Sequence, residues 1–391
     1  MKKLLIGLTL FSYSCGDLLL HDELINERPL EPGIYHQLSS LNQLDDHIIV
    51  RHDKFYYADK KPLGRCEDPL LIENEYLLLS KEGNMEAFPV WDQFELYNFT
   101  KIGSQTIAFK NYQPEQKPLF EYRTLSEDLH MVNSYAVDLS EVIPSDAWKT
   151  SLFQVAGLEH SEILLMTQLY LNSDKKILLC KIIDGEIKES LISETYGNST
   201  DLNLSKPFIV GDDLYVVNRN YKNSSNQLTL LQADFEQKSI RQISDFKVDD
   251  PGISEIIPYF DSYAFLAYSG KLYVFDASAK RFIEVELKGV KASNIFVINA
   301  GGHFLVVSFT LNHETHIGVI KENELVDYGL KNENWTSQYI LLDSEELVKI
   351  EPFEDTKGSL TTRFQKATPL ENTLTKTLFE GVTFRRTCNW D

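Results

Sequence analysis

Hydrophobic positions along this chain come in short bursts of alternating or continuous apolar residues, each introduced by a polar turn. Gly211-Asp212-Asp213 leads into Leu214-Tyr215-Val216-Val217, and Ser269-Gly270 leads into Lys271-Leu272-Tyr273-Val274-Phe275-Asp276. Looser copies are Gly301-Gly302-His303-Phe304-Leu305-Val306-Val307 and Ser344-Glu345-Glu346-Leu347-Val348-Lys349-Ile350. In each, Gly, Asp or Ser turns the chain into a run of β-branched and aromatic residues, which favour a strand. Long runs with the helical period and its caps are absent, so the pattern predicts an all-β fold.

The bursts group into larger units. Within 206–244, strands are predicted at Pro207 to Val210, Leu214 to Asn218, Gln227 to Ala233 and Ser239 to Ile243, with a polar loop from Asn220 to Asn226. The stretch 292–328 repeats the plan at Asn294 to Asn299, Phe304 to Thr310, His316 to Lys321 and Leu325 to Tyr328. Turn starts near Ser161, Asp212, Asp261, Gly301 and Asp343 lie 51, 49, 40 and 42 residues apart. Four short antiparallel strands in each repeat of roughly 40–50 residues predict the blades of a β-propeller. Before residue 160 the signal is weaker. Strands are expected at His47 to Arg51, Lys54 to Ala58, Tyr76 to Ser80 and Thr106 to Lys110, and Leu139 to Thr150 reads as a helical turn or an inserted loop. The length predicts about seven blades, with six or eight open. No Pro- or Ser-rich linker divides the chain, so 41–391 is read as one propeller domain.

The first residues change the picture from fold to address. Lys2 and Lys3 precede the apolar stretch Leu4 to Phe11, and Ser12-Tyr13-Ser14 supplies the small residues of a cleavage site. That stretch is far shorter than the roughly 20 apolar residues a membrane-spanning helix needs. Cys15 follows at once, then Gly16 and Asp17. The Ser14-Cys15 pair behind an apolar core resembles the lipobox of bacterial lipoproteins, although Ser12 replaces the usual Leu and Tyr13 is bulky. The resemblance implies a signal peptide over 1–14, a leader or tether over 15–40, and acylation of Cys15 as the sole membrane attachment. With Gly16 after the cysteine, it also implies sorting to the outer membrane. Cleavage at the same bond without acylation leaves a periplasmic protein with a plain thiol at Cys15.

Charge excludes one class of partner. Asp and Glu number 58 against 38 Lys and Arg, a formal charge of −20, and loss of Lys2 and Lys3 takes it to −22. With no basic cluster to override that field, nucleic acid is excluded as a partner, and peripheral binding to anionic lipid is disfavoured. Cys180, within Ile177-Leu178-Leu179-Cys180-Lys181-Ile182-Ile183, predicts a buried strand thiol. Cys66 and Cys388 lie near opposite ends of the mature chain; in an oxidising compartment they would close a ring if joined, and their pairing is left open.

Candidate chemistry is sparse. Arg65-Cys66-Glu67-Asp68-Pro69-Leu70-Leu71-Ile72 resembles the Asp-Pro motif that opens a blade in five-bladed glycoside hydrolases and related mannoside phosphorylases. That resemblance implies Asp68 as a catalytic carboxylate facing the central funnel, one of the pair that glycosidic chemistry requires. Leu70 stands where the phosphorylases carry Arg, and the family's further acidic motifs are not found. The plain alternative is a proline that begins a strand. His313-Glu314-Thr315-His316, with His303 nearby, is one residue short of a helical zinc spacing and falls between two strands, so a hairpin loop and no metal is expected. Asp212-Asp213 and Asp249-Asp250-Pro251-Gly252 lack the alternation of a calcium loop and read as turns. No cofactor is expected. The reading that follows is a binding or scaffold propeller at the cell envelope, its partner an envelope protein or glycan. Its partner-binding loops are placed at Asn220, Tyr221, Asn223 and Asn226, and at Asn312 and His313. The envelope lipoprotein of the outer-membrane assembly machinery is similar in size, address and plan, but its Gly-x-Leu-x-Ala-Leu-Asp and Trp signatures are missing here. The alternative is a glycan-active enzyme with Asp68 in the funnel.

Overall fold

A computed structural model describes residues 33–379 apart from the stretches 45–46, 58–69, 89–96, 103–104, 111–117, 146, 151–152, 159–161, 172–173, 194–202, 223–224, 332–337, 343–344, 355–359 and 369–373. Its strands form seven separate sheets, each a meander of antiparallel neighbours in chain order. The first holds β1 (Gly33–Leu44), β2 (His47–Tyr57), β3 (Leu70–Leu79) and β4 (Met85–Ala87). The second holds β5 (Tyr97–Ile102), β6 (Gln105–Lys110), β7 (Leu119–Leu125) and β8 (Met131–Asp138). In the third, β9 (Ala147–Thr150) pairs beside the main run of β10 (Gln154–Gly157), β11 (Ile163–Leu171), β12 (Asp174–Ile183) and β13 (Glu186–Ile192). The fourth is β14 (Phe208–Val210), β15 (Asp213–Lys222), β16 (Ser225–Asp234) and β17 (Ser239–Val248). The fifth is β18 (Ile257–Tyr259), β19 (Ser262–Leu266), β20 (Leu272–Asp276) and β21 (Arg281–Val285). The sixth adds a short parallel strand, β22 (Lys288–Gly289), outside β23 (Ser293–Gly301), β24 (Phe304–Leu311), β25 (Glu314–Lys321) and β26 (Glu324–Lys331). The seventh is β27 (Gln338–Leu341), β28 (Leu347–Glu354), β29 (Leu360–Ala367) and β30 (Leu374–Phe379).

Seven apolar clusters join these sheets, one at each boundary. Ile49 and Tyr76 of the first sheet meet Tyr97 and Phe99 of the second. Ile107 and Phe120 then meet Ile163 and Leu178, and Leu164 and Leu179 meet Leu214 and Leu231. Phe208 and Leu228 pack on Phe265 and Phe275, Leu266 on Leu305 and Ile320, and Phe304 and Ile317 on Tyr339 and Leu347. The series closes where Val348 and Phe364 of the seventh sheet meet Ile48, Val50 and Leu79 of the first. The fold is a seven-bladed β-propeller. Middle strands have a blade on either side, so they bury both faces and read as continuous apolar runs. Cys180 on β12 is fully buried in this way, and burial pushes its thiol up to about 12.

Ring closure is made by side chains. Among the described residues, no strand is shared between the first and seventh sheets. Besides the apolar cluster, Lys376 Nζ donates to Asn84 Oδ1 (2.5 Å) across this seam. Gly83, at φ +78°, lies so close to the Phe364 ring that a Cβ would approach it to 3.0 Å.

Tyrosine hydroxyls stitch four of the other boundaries. Tyr76 Oη accepts from the Tyr97 amide, and Tyr122 Oη from the Gly185 amide of the third blade (2.9 Å). Tyr259 Oη accepts from the Asn323 amide, and Tyr328 Oη donates to the Glu345 carbonyl. A ring buried in one boundary with its hydroxyl satisfied by the next blade uses both halves of this side chain.

First strands of neighbouring blades approach one another: β1 and β5, β5 and β10, β18 and β23, β23 and β27. Radial sheets converge only at the centre, so the first strands line the central channel. Every first strand therefore begins on one face of the ring, and that same face carries every turn between second and third strands.

Three expectations change. The separate strands expected at His47 to Arg51 and Lys54 to Ala58 are a single strand, β2, because Arg51, His52 and Asp53 are buried rather than looped out. Arg51 Nε pairs with Asp53 Oδ1 at 2.6 Å, and His52 Nδ1 lies 2.8 Å from Glu75 Oε1 on β3. The region before 160 holds two full blades and the start of a third, and β1 begins at Gly33, inside the segment read as a leader. Leu139 to Thr150 contains turns and then β9, which pairs with β11.

Candidate functional site

The longest connections between strands fall on one face, although two-residue turns such as Asn312-His313 occur there too. On the face where first strands end, β14 and β15 are joined across Gly211 and Asp212, β18 and β19 across Phe260 and Asp261, and β23 and β24 across Gly302 and His303. On the opposite face, 58–69, 89–96, 111–117 and 194–202 separate consecutive strands. Long connections carry functional side chains more readily than two-residue turns do, which directs attention to that second face, the channel mouth.

There a cleft of about 110 Å³ opens between the first strands of the third, fourth and fifth blades. Its walls are repeated sequence. Leu204-Ser205-Lys206 precedes β14 and Ile253-Ser254-Glu255 precedes β18, each tied to the second strand of its own blade. The Ser205 amide donates to the Val217 carbonyl while Ser205 Oγ accepts from the Val217 amide; Ser254 does the same with Leu266. Both hydroxyls also donate to the next residue's carbonyl, so the serines are fully engaged in holding the strands. The residue after each serine is thereby carried to the cleft: Lys206 from one blade, Glu255 from the next.

Arg219, near the mouth end of β15, completes the polar wall. Its Nη1 donates to the Ile253 carbonyl (3.1 Å), spanning the boundary between the fourth and fifth blades. Leu204, Val217, Leu228, Ile253 and Ile256 form the apolar floor, and Gln154 of β10 borders the other side. Val217, Arg219 and Tyr221 share one face of β15, since alternate residues of a strand point the same way. Tyr221 stands one step above Arg219 and is 57% exposed, an unusual exposure for so large a ring.

The expected partner loops are thus placed as follows. Asn220 and Tyr221 belong to β15 and Asn226 to β16, so the polar stretch is a strand hairpin rather than a loop. Its described residues pair as strands because the ladder satisfies their backbone groups. Asn226 is only 3% exposed and its Nδ2 donates to the Asp250 carbonyl (2.8 Å), so it anchors the connection between blades. Asp250 in turn receives the Gly252 and Ser269 amides, a turn-capping role. Asn312 and His313 form the exposed two-residue turn between β24 and β25, both at positive φ (50° and 68°). His316 is held between Asp327, 2.9 Å from its Nδ1, and the Phe309 ring. His303 lies at the other end of β24, about 26 Å of strand away from His313, so the histidines are not brought together. Cys15, Cys66, Asp68, Asn223 and Cys388 lie outside the described residues.

Sequence reading passed over Arg219, Lys206, Glu255 and Gln154. The available signal was the recurrence of an apolar residue, serine and a charged residue ahead of two successive first strands. Arg219 itself sits one position before the stretch singled out.

No protein-family model matches the chain, and no curated protein sequence matches it. Among solved structures it is similar to a prolyl endopeptidase, with 9% identity, a TM-score of 0.50 and 88% of this chain covered; the chain spans half the length of that protein. It is also similar to TolB from Acinetobacter baumannii (11% identity, TM-score 0.36, covering 89% of this chain and 81% of TolB). A protein from Lactobacillus plantarum aligns at 12% identity and a TM-score of 0.46, covering 88% of this chain and 98% of that one. Likeness at this level of identity speaks to the propeller fold alone.

Proposed function

We propose that this chain is an exported binding propeller of the cell envelope, attached to the membrane through an acylated Cys15, which engages an envelope protein with its channel-mouth face. The observation that carries the reading is the coincidence on one face of the long connections, the charged cleft and the exposed Tyr221. Binding surfaces of propellers are built from such loops on a rigid ring, and the ring supplies position while the loops supply chemistry. The leader supports export, and the Ser14-Cys15 pair supports the anchor.

Affinity purification of the tagged full-length protein from crosslinked envelopes tests the binding role. The expected result is a stoichiometric partner that is lost in Tyr221→Ser and kept in His303→Ser, a change on the opposite face. A partner retained in Tyr221→Ser would move the interface off this face. For the anchor, labelled palmitate should enter the wild-type chain and not Cys15→Ser, and the variant should leave the membrane fraction.

A further inference from the structure

The cleft between the third, fourth and fifth blades holds three formal charges that the protein does not neutralise. Among the described residues, Arg219, Lys206 and Glu255 form no ion pair, although all three border the same small space. Arg219 is positioned rather than free: one guanidinium nitrogen is pinned to the Ile253 carbonyl, which leaves its remaining N–H groups for a ligand. The serines beside it are already engaged, so they do not compete. Gln154 Oε1, shielded from solvent, has no hydrogen-bond partner. The cleft therefore offers two cations, one anion, one unsatisfied acceptor and a floor of Leu204, Val217, Leu228, Ile253 and Ile256.

This set matches one chemical pattern. We infer that the cleft binds the terminal carboxylate of a small α-amino acid or of a peptide ending in one. The carboxylate meets Arg219 and Lys206, and a short apolar side chain rests on the floor. An adjacent ammonium, where the ligand has one, meets Glu255 and Gln154. A guanidinium with a fixed orientation suits a planar carboxylate better than a mobile ammonium does. The space of about 110 Å³ accommodates a small side chain such as alanine's with its head groups, and the cleft is open to the surface, where the rest of a peptide would extend. This inference rests on the reading of the mouth face as a binding surface and specifies what one part of it recognises.

Isothermal titration of the full-length protein with alanine, N-acetylalanine and alaninamide tests it and separates the two sources. If a free amino acid is the ligand, alanine binds best. If a peptide end is the ligand, N-acetylalanine binds at least as well as alanine. In both cases alaninamide binds at least tenfold more weakly, because the charge-assisted contact is worth about a factor of ten or more. Arg219→Gln should weaken the carboxylate ligands about tenfold and Lys206→Gln by a smaller factor, with Glu255→Gln removing any preference for the free ammonium. Lys206 and Glu255 are exposed, so their variants should keep the wild-type melting temperature and report on binding even if Arg219→Gln fails to fold. Saturation by none of the three compounds, equal binding of alaninamide, or indifference to Lys206→Gln would overturn the assignment. A crosslinked partner found alongside such a result would leave the binding role standing and remove only this ligand.

Discussion

Asp213 shows how a single turn residue can tie two neighbouring blades together. It follows Gly211-Asp212 in the turn that opens β15, yet its carboxylate receives Tyr215 Oη (2.9 Å), Lys280 Nζ of the fifth blade (2.9 Å) and the Gln232 amide. The Lys280 hydrogen bond outweighs the opposing desolvation and, with Tyr215 and Gln232, holds its carboxyl below the usual carboxylate range. A depressed folded pKa means the carboxylate stabilises the protein above the unfolded carboxylate pKa, and that the contribution is lost as pH falls through the folded value. Asp213→Asn should therefore lower stability near neutrality, by no more than about 1 kcal/mol because the pair is part-exposed. In urea titrations at descending pH, variant and wild type should converge in acid. A difference that persists unchanged in acid would show that the carboxylate's charge is not its contribution.

At the scale of the element, the two-residue turn Asp184-Gly185 between β12 and β13 joins local and tertiary demands. Both residues have positive φ (48° and 81°), the geometry that matches the twist of a hairpin. Gly185 also lies under Tyr135, where a Cβ would come within 2.5 Å of the ring, and its amide donates to Tyr122. Tyr122 and Tyr135 stack at 4.9 Å, so the turn of one blade seats the aromatic pair of the previous one. Gly185→Ala should destabilise by about 1–3 kcal/mol through strain and displaced rings. Tyr122→Phe, which removes only the hydroxyl, should cost about 1 kcal/mol. Chemical denaturation of both variants checks the order, and a Tyr122→Phe loss as large as that of Gly185→Ala would place the weight on the hydroxyl instead of the turn.

For the molecule as a whole, the vulnerable place is the seam between the seventh and first blades. Leu79 is fully buried there among Ile48, Val50 and Phe364. The other six boundaries lie between blades consecutive in the chain, whereas this one joins the last blade to the first, so side-chain packing must hold the ring closed. Leu79→Ala should cost about 2–5 kcal/mol, as large cavities in packed cores do. It should also raise amide exchange in β28 and β2 ahead of the middle blades. Exchange rising evenly around the ring would indicate that the seam opens only with global unfolding.

Blade architecture was legible in the residues because each strand's pattern is local. The strands of 206–244 and 292–328 lie where alternation and turn residues put them, and Cys180 is buried where its apolar neighbours predict. The acidic balance is likewise a property of the chain, readable without a fold. Tertiary structure decided the rest, since propeller boundaries lie between residues far apart in sequence. It made Arg51-His52-Asp53 a buried part of one strand, because neighbouring blades can shelter charges that local polarity assigns to solvent. It turned Asn226 into an anchor and brought Lys206, Arg219 and Glu255 together from two blades. No period along the chain encodes that convergence: two blades packed side by side at the channel create it.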